Sequence, residues 1–115
     1  MSRLFLQVIT TITQTFLNHL KGMPDAEQAV LSADRLMAAL NAGGIPTVAK
    51  YTVKSGIRLV STVALADLGA CEATLQDEAR NLGLSLAPLA RHTVLIHPAG
   101  KAGPVRIRLV WSLTE

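Results

Sequence analysis

His19, His92, His97, Cys71 and the serine that follows Lys54 are the residues of this chain whose types suit metal binding or nucleophilic chemistry. His92 and His97 stand five residues apart, which places them on opposite faces of a regular strand. No cysteine or carboxylate lies close to either in sequence, so a metal site would have to gather its ligands from distant segments. Cys71 is the only cysteine. It excludes an intrachain disulfide and an extracellular disulfide scaffold, and its flanking alanines read as the setting of a small buried hydrophobe. Ser55 beside Lys54 has the composition of an activated nucleophile, but a serine at a turn beside a solvated lysine needs no catalytic explanation. Gly100-Lys101-Ala102-Gly103 lacks both the spacing of a phosphate loop and the hydroxyl residue after its lysine. Its glycines are explained as turn conformers. Neither a nucleophile elbow nor a dinucleotide fingerprint occurs. The sequence therefore nominates no catalytic residue, no metal ligand and no cofactor, and it favours a non-catalytic role.

The charges are more informative. Asp25, Glu27, Asp34, Asp67, Glu72, Asp77 and Glu78 fall on or beside two helical segments, and Glu115 is the final residue. No acid occurs between Asp34 and Asp67, and none from Ala79 to Thr114. Lys50, Lys54, Arg58, Arg106 and Arg108 belong instead to segments of strand character, with Arg91 and Lys101 in adjoining loops. If the helices cover one face of a sheet, these five strand cations mark the other face or its edge as a partner-binding surface. A net charge of +3 and a pI near 9.5 agree with mild attraction to anions. Basic side chains on a sheet also have a plainer use, since they are solvated and deter edge pairing.

Local signals place these residues. Pro24, Asp25 and Glu27 suit the first turn of a helix, which runs to about Asn41 with Ala26, Ala29, Val30, Ala33, Leu36, Met37 and Leu40 on one face. Gly43-Gly44 stops it. Thr47–Lys54 and Gly56–Ala66 read as a hairpin about Lys54-Ser55-Gly56. Asp67 is placed to cap a second helix over about 68–82, with Leu68, Cys71, Leu75, Ala79 and Leu82 as its stripe. Residues 84–91, which contain Pro88, read as a connection or short edge piece. His92–His97 and Val105–Leu113 read as strands joined by a proline- and glycine-rich loop. In the last strand Val105, Ile107, Leu109, Trp111 and Leu113 alternate with Arg106, Arg108 and Ser112.

Residues 3–21 carry two readings. Phe5, Val8, Ile9, Ile12, Phe16 and Leu20 have helical spacing, whereas Thr10, Thr11, Thr13 and Thr15 together with Ile9 and Ile12 favour extended chain. The strand reading, over about residues 3–13, is the one adopted. The run is too short and too polar to span a bilayer and lacks a cleavage box, so no membrane association and a cytoplasmic location are expected.

With that first strand the order is β-α-β-β-α-β-β. The expected fold is α+β, one domain over residues 1–115, on a ferredoxin-like split β-α-β plan with an additional C-terminal strand and two helices on one face of a mainly antiparallel sheet. The function expected of it is a small protein-protein interaction module, self-association included, with a homodimer seam along the last strand if that strand lies at an edge. The alternatives are a weak nucleic-acid-binding module that uses the basic sheet face, and a small enzyme whose site is not visible in sequence. Aromatics number four in all, and Tyr51 and Trp111 fall on the apolar side of their strands. That scarcity counts against single-strand nucleic-acid binding by stacking.

Overall fold

The computed structural model describes residues 26–52, 56–98 and 106–115. The chain order within them is α1 (Ala26–Ala42), β1 (Thr47–Thr52), β2 (Gly56–Ala64), a 3-10 turn (Leu65–Asp67), α2 (Leu68–Asn81), β3 (Leu84–Ala90), β4 (Thr93–Pro98) and β5 (Ile107–Thr114). The strands form one open sheet of order β1-β2-β5-β4-β3. All neighbours are antiparallel except β2 and β5, which run parallel.

Helix α1 owes its position to one apolar stripe. Ala29, Val30, Ala33, Leu36, Met37 and Leu40 are all buried, and Ser32 is buried beside them. Its end is a glycine-terminated cap. Gly44 has φ +86°, its N–H donates to Asn41 O, and the Ile45 N–H reaches back to Leu40 O at 2.9 Å. These two bonds satisfy carbonyls that the helix leaves open, and they bring Ile45 into the core beside Leu40. Asn41 then ties helix to sheet: its Nδ2 donates to Thr47 O while its Oδ1 accepts the Thr47 N–H, both at 2.9 Å. Helix α2 buries Leu75 and Ala79, with Leu68, Cys71 and Leu82 half-buried against the core, and Gly83 at φ +71° follows it. Asp67 stands at its N-terminus but makes no capping hydrogen bond.

Both helices pack on the sheet face that carries Ile57, Leu59 and Val63 of β2, Ile96 of β4 and Ile107, Leu109 and Trp111 of β5. The parallel register sets Ile57 against Ile107 and Leu59 against Leu109, so the core centres on the middle strand β5 and its neighbour β2. Gly56 makes that junction possible. A Cβ there would lie 2.4 Å from Arg106 O, and φ is +81°; the Ile57 N–H donates to that same carbonyl at 2.8 Å.

The two-layer α+β arrangement matches the expectation, but the strand order departs from the split plan. The position beside β2 that this plan gives to a first strand belongs to β5, running parallel. Residues 3–13, the expected first strand, lie outside the described residues. The expected dimer seam also needs correction: β5 lies inside the sheet between β2 and β4, and among the described strands the edges are β1 and β3. Of the two readings of residues 84–91 the edge piece holds: Leu84–Ala90 form a seven-residue strand at the edge of the described sheet, with a register shift between Pro88 and Ala90. Among the described residues no helix is long and apolar enough to cross a membrane.

Candidate interaction face

Strand alternation decides what the sheet face away from α1 and α2 displays. In β1 and β2 the residues between the buried positions are Val48 and Lys50, then Arg58, Val60 and Thr62; in β5 they are Arg108, Val110 and Ser112. On β4 the same side carries Thr93, Leu95 and His97, and on β3 Ser85 and Ala87. Lys50 pairs with Arg58 across β1 and β2, and Arg58 pairs with Arg108 across β2 and β5. Three cations thus stand in one rung, on strands about 4.8 Å apart. Leu95 and Ala87 continue the rung on β4 and β3. Val48, Val60 and Val110 form the neighbouring rung, so a row of charge lies directly beside a row of aliphatic surface.

Like charges directly opposite one another destabilise a sheet. Two unit charges about 6 Å apart repel by about 0.7 kcal/mol in bulk water and about 3 kcal/mol at an effective dielectric of 20. No acid shares this face among the described residues. The ion pair found among them, Arg80 with Asp77 at 3.7 Å, lies on α2 and is exposed at both ends. Lys50 and Arg58 are exposed, whereas Arg108 is half-buried. Its Nε is buried and has no hydrogen-bond partner. A charged donor without an acceptor is costly, so among the described residues the centre of the face is electrostatically incomplete.

Of the five cations nominated from sequence, three converge in this rung. Arg106 is exposed one residue ahead of β5 and is joined to β2 through its carbonyl. Lys54 lies outside the described residues. His97 is half-buried on the same face. Tyr51 and Trp111 lie on the helix side: Tyr51 donates its hydroxyl to Asp34 on α1, and Trp111 is 3% exposed. Among the described residues the open face therefore carries no aromatic ring. Sequence reasoning missed Leu95 and Val110 as members of the face, because both sit in runs that are apolar on each side and alternation alone does not separate them. No three of His, Cys, Asp and Glu come together as a metal-binding group among the described residues.

Among the described residues, the fold and this face define a two-layer α+β domain whose sheet face away from the helices is basic. Comparison with protein-family models, with characterised proteins and with solved structures finds no match.

Proposed function

We propose that the domain is a non-catalytic interaction module whose open sheet face receives an acidic protein surface. The observation that carries this reading is the Lys50–Arg58–Arg108 rung, with the Arg108 Nε lacking an acceptor and aliphatic side chains on the adjoining rung. A carboxylate placed over the rung relieves the repulsion and can pair with the half-buried guanidinium of Arg108, in a charge-assisted contact of the kind arginine makes best. The valine rung favours a partner that also brings apolar side chains, which a protein does and a phosphate backbone does not. Nucleic-acid readers that bind single strands rely on stacking platforms, and the described part of the face has none. Two copies of this face meeting about a twofold axis would set the rung against itself, because such an interface uses the same patch on both subunits. A different, acidic partner fits better.

The test is fluorescence anisotropy with three labelled probes at low salt: a peptide of alternating Glu and Leu, a random single-stranded oligonucleotide and a random duplex. Saturable binding of the peptide, lost in Arg58→Glu and weaker in Lys50→Ala, is the expected result. Tighter binding of either oligonucleotide would transfer the face to the nucleic-acid reading, and no binding of any probe would remove both.

A further inference from the structure

On the helix side of the sheet, away from the basic face, a cavity of about 250 Å³ opens between α2 and the β3–β4 turn. Three peculiarities meet there. First, Trp111 lines it and is nearly fully buried, yet its indole Nε1 has no hydrogen-bond partner. Buried donors left unpaired are rare in folded proteins, and each calls for an explanation. Second, His92 also lines it and holds φ +58°, the only positive φ among the described non-glycine residues. It stands in the two-residue turn between Ala90 and Thr93, and its carbonyl accepts the Trp111 N–H at 2.9 Å. Glycine serves such a position without strain, so an imidazole there is a choice made against local backbone preference, and strained residues of this kind gather at binding sites. Third, the lining joins apolar Leu75 and Leu86 to the polar ends of Glu72 and Gln76 on the exposed flank of α2.

We infer that this cavity binds a small, neutral, planar amide whose carbonyl oxygen accepts the Trp111 Nε1 proton. The volume decides the size class. A cavity of about 150 Å³ takes benzene, and drug-sized ligands need about 300 Å³ or more, so a single ring with one polar group is the right scale. Chemistry decides the rest. Among the described residues no lysine or arginine lines the cavity and Glu72 does, which opposes a carboxylate ligand. The amide N–H groups find acceptors in Glu72 and Gln76, and the ring lies against Leu75 and Leu86. His92 lines the cavity as well and can donate or accept. The indole N–H is covered by its neighbours, so the ligand parts the lining as it enters.

Trp111 is the only tryptophan in the chain, so a nitrogen–proton correlation spectrum of the uniformly labelled protein contains a single indole side-chain resonance. The experiment titrates benzamide while following that signal, with benzoate and toluene as comparators. The expected result is a saturable downfield displacement by benzamide at concentrations on the order of 10 mM or below, with benzoate and toluene each at least about tenfold weaker. His92→Gly should melt no lower than wild type yet weaken benzamide about fivefold or more, a split that a purely structural role for His92 would not produce. Glu72→Ala, on the exposed side of α2, should weaken it as well. An indole resonance that ignores benzamide, equal responses to benzamide and benzoate, or unchanged affinity in His92→Gly would each overturn the site.

Discussion

Thr47 and Ser61 show how much of this domain's specificity rests on single atoms. Their hydroxyls lie 2.8 Å apart, and Thr47 Oγ1 also donates to Ile45 O at 3.0 Å. With that proton committed, Ser61 must be the donor to Thr47. Ser61 is fully buried. The two truncations should therefore differ. Ser61→Ala removes a donor and leaves Thr47 bonded to Ile45, at a cost of about 1 kcal/mol or less. Thr47→Val is nearly isosteric but strands both the Ser61 hydroxyl and the Ile45 carbonyl, at about 2–3 kcal/mol. Urea denaturation of the two variants measures the gap, and equal losses would mean that the hydroxyl chain has another outlet. Gly56 presents the complementary case, in which a missing atom matters. Gly56→Ala brings a methyl group into the Arg106 backbone and forces a positive φ on alanine. A loss of about 2 kcal/mol or more is expected by the same measurement. The sequence shows Gly56 as a turn residue; its close approach to β5 is invisible there, because nothing in local patterning says which strand lies beside β2.

At the scale of the element, legibility followed the strength of the local signal. Helix α1 was readable because seven apolar residues share a 3.6-residue period and Gly43-Gly44 ends it, and all six of those whose side chains are described, from Ala29 on, are buried. The same holds for β1, β2 and β5, where alternation separates buried Ile107, Leu109 and Trp111 from half-buried or exposed Arg108, Val110 and Ser112. Strand β3 was underread because Pro88 speaks against a ladder, and only an edge position resolves that conflict. Strand order was beyond reach, since the parallel pairing of β2 with β5 joins residues about fifty apart and depends on the whole core. The basic rung lies between these cases. Its members were named from charge segregation, but their register required the pairing. That register makes an uncommon prediction. Arg58→Glu puts an acid between Lys50 and Arg108 and turns two repulsive cross-strand pairs into attractive ones. Each such pair contributes about 0.2–1 kcal/mol, so the variant should be more stable than wild type by about 0.5–1.5 kcal/mol, with a melting temperature several degrees higher, while losing the acidic peptide. A variant that melts lower would show that the three cations do not feel one another.

For the whole molecule the question is whether copies join through the edges of the sheet. Carbonyl directions follow from the ladder: Thr62 N–H donates to Pro46 O, and Ile57 N–H donates to Arg106 on the opposite side. Even-numbered residues of β1 therefore bond to β2, and odd-numbered ones point outward, where Asn41 already takes both groups of Thr47. An added strand must start beyond that clamp, on a strand of only six residues. At the other edge, Trp111 N–H to His92 O directs the even-numbered residues of β4 toward β5, so the odd-numbered ones pair with Ser85 and Ala87 of β3. Pro88 then falls in the outward-facing set and removes a donor, with the register shift just beyond it. Both edges are blunted by identifiable residues, and the basic rung opposes face-to-face pairing. The chain should therefore remain near 12.2 kDa by light scattering at high micromolar concentration in low salt. If a dimer forms instead, its response to salt locates the contact. Screening over a Debye length of about 8 Å at physiological ionic strength would strengthen association through the cationic face and leave an edge-strand dimer nearly unchanged. A salt-insensitive dimer abolished by Ala49→Pro, which removes an outward donor from β1, would overturn the assignment of the open face as the principal interaction surface.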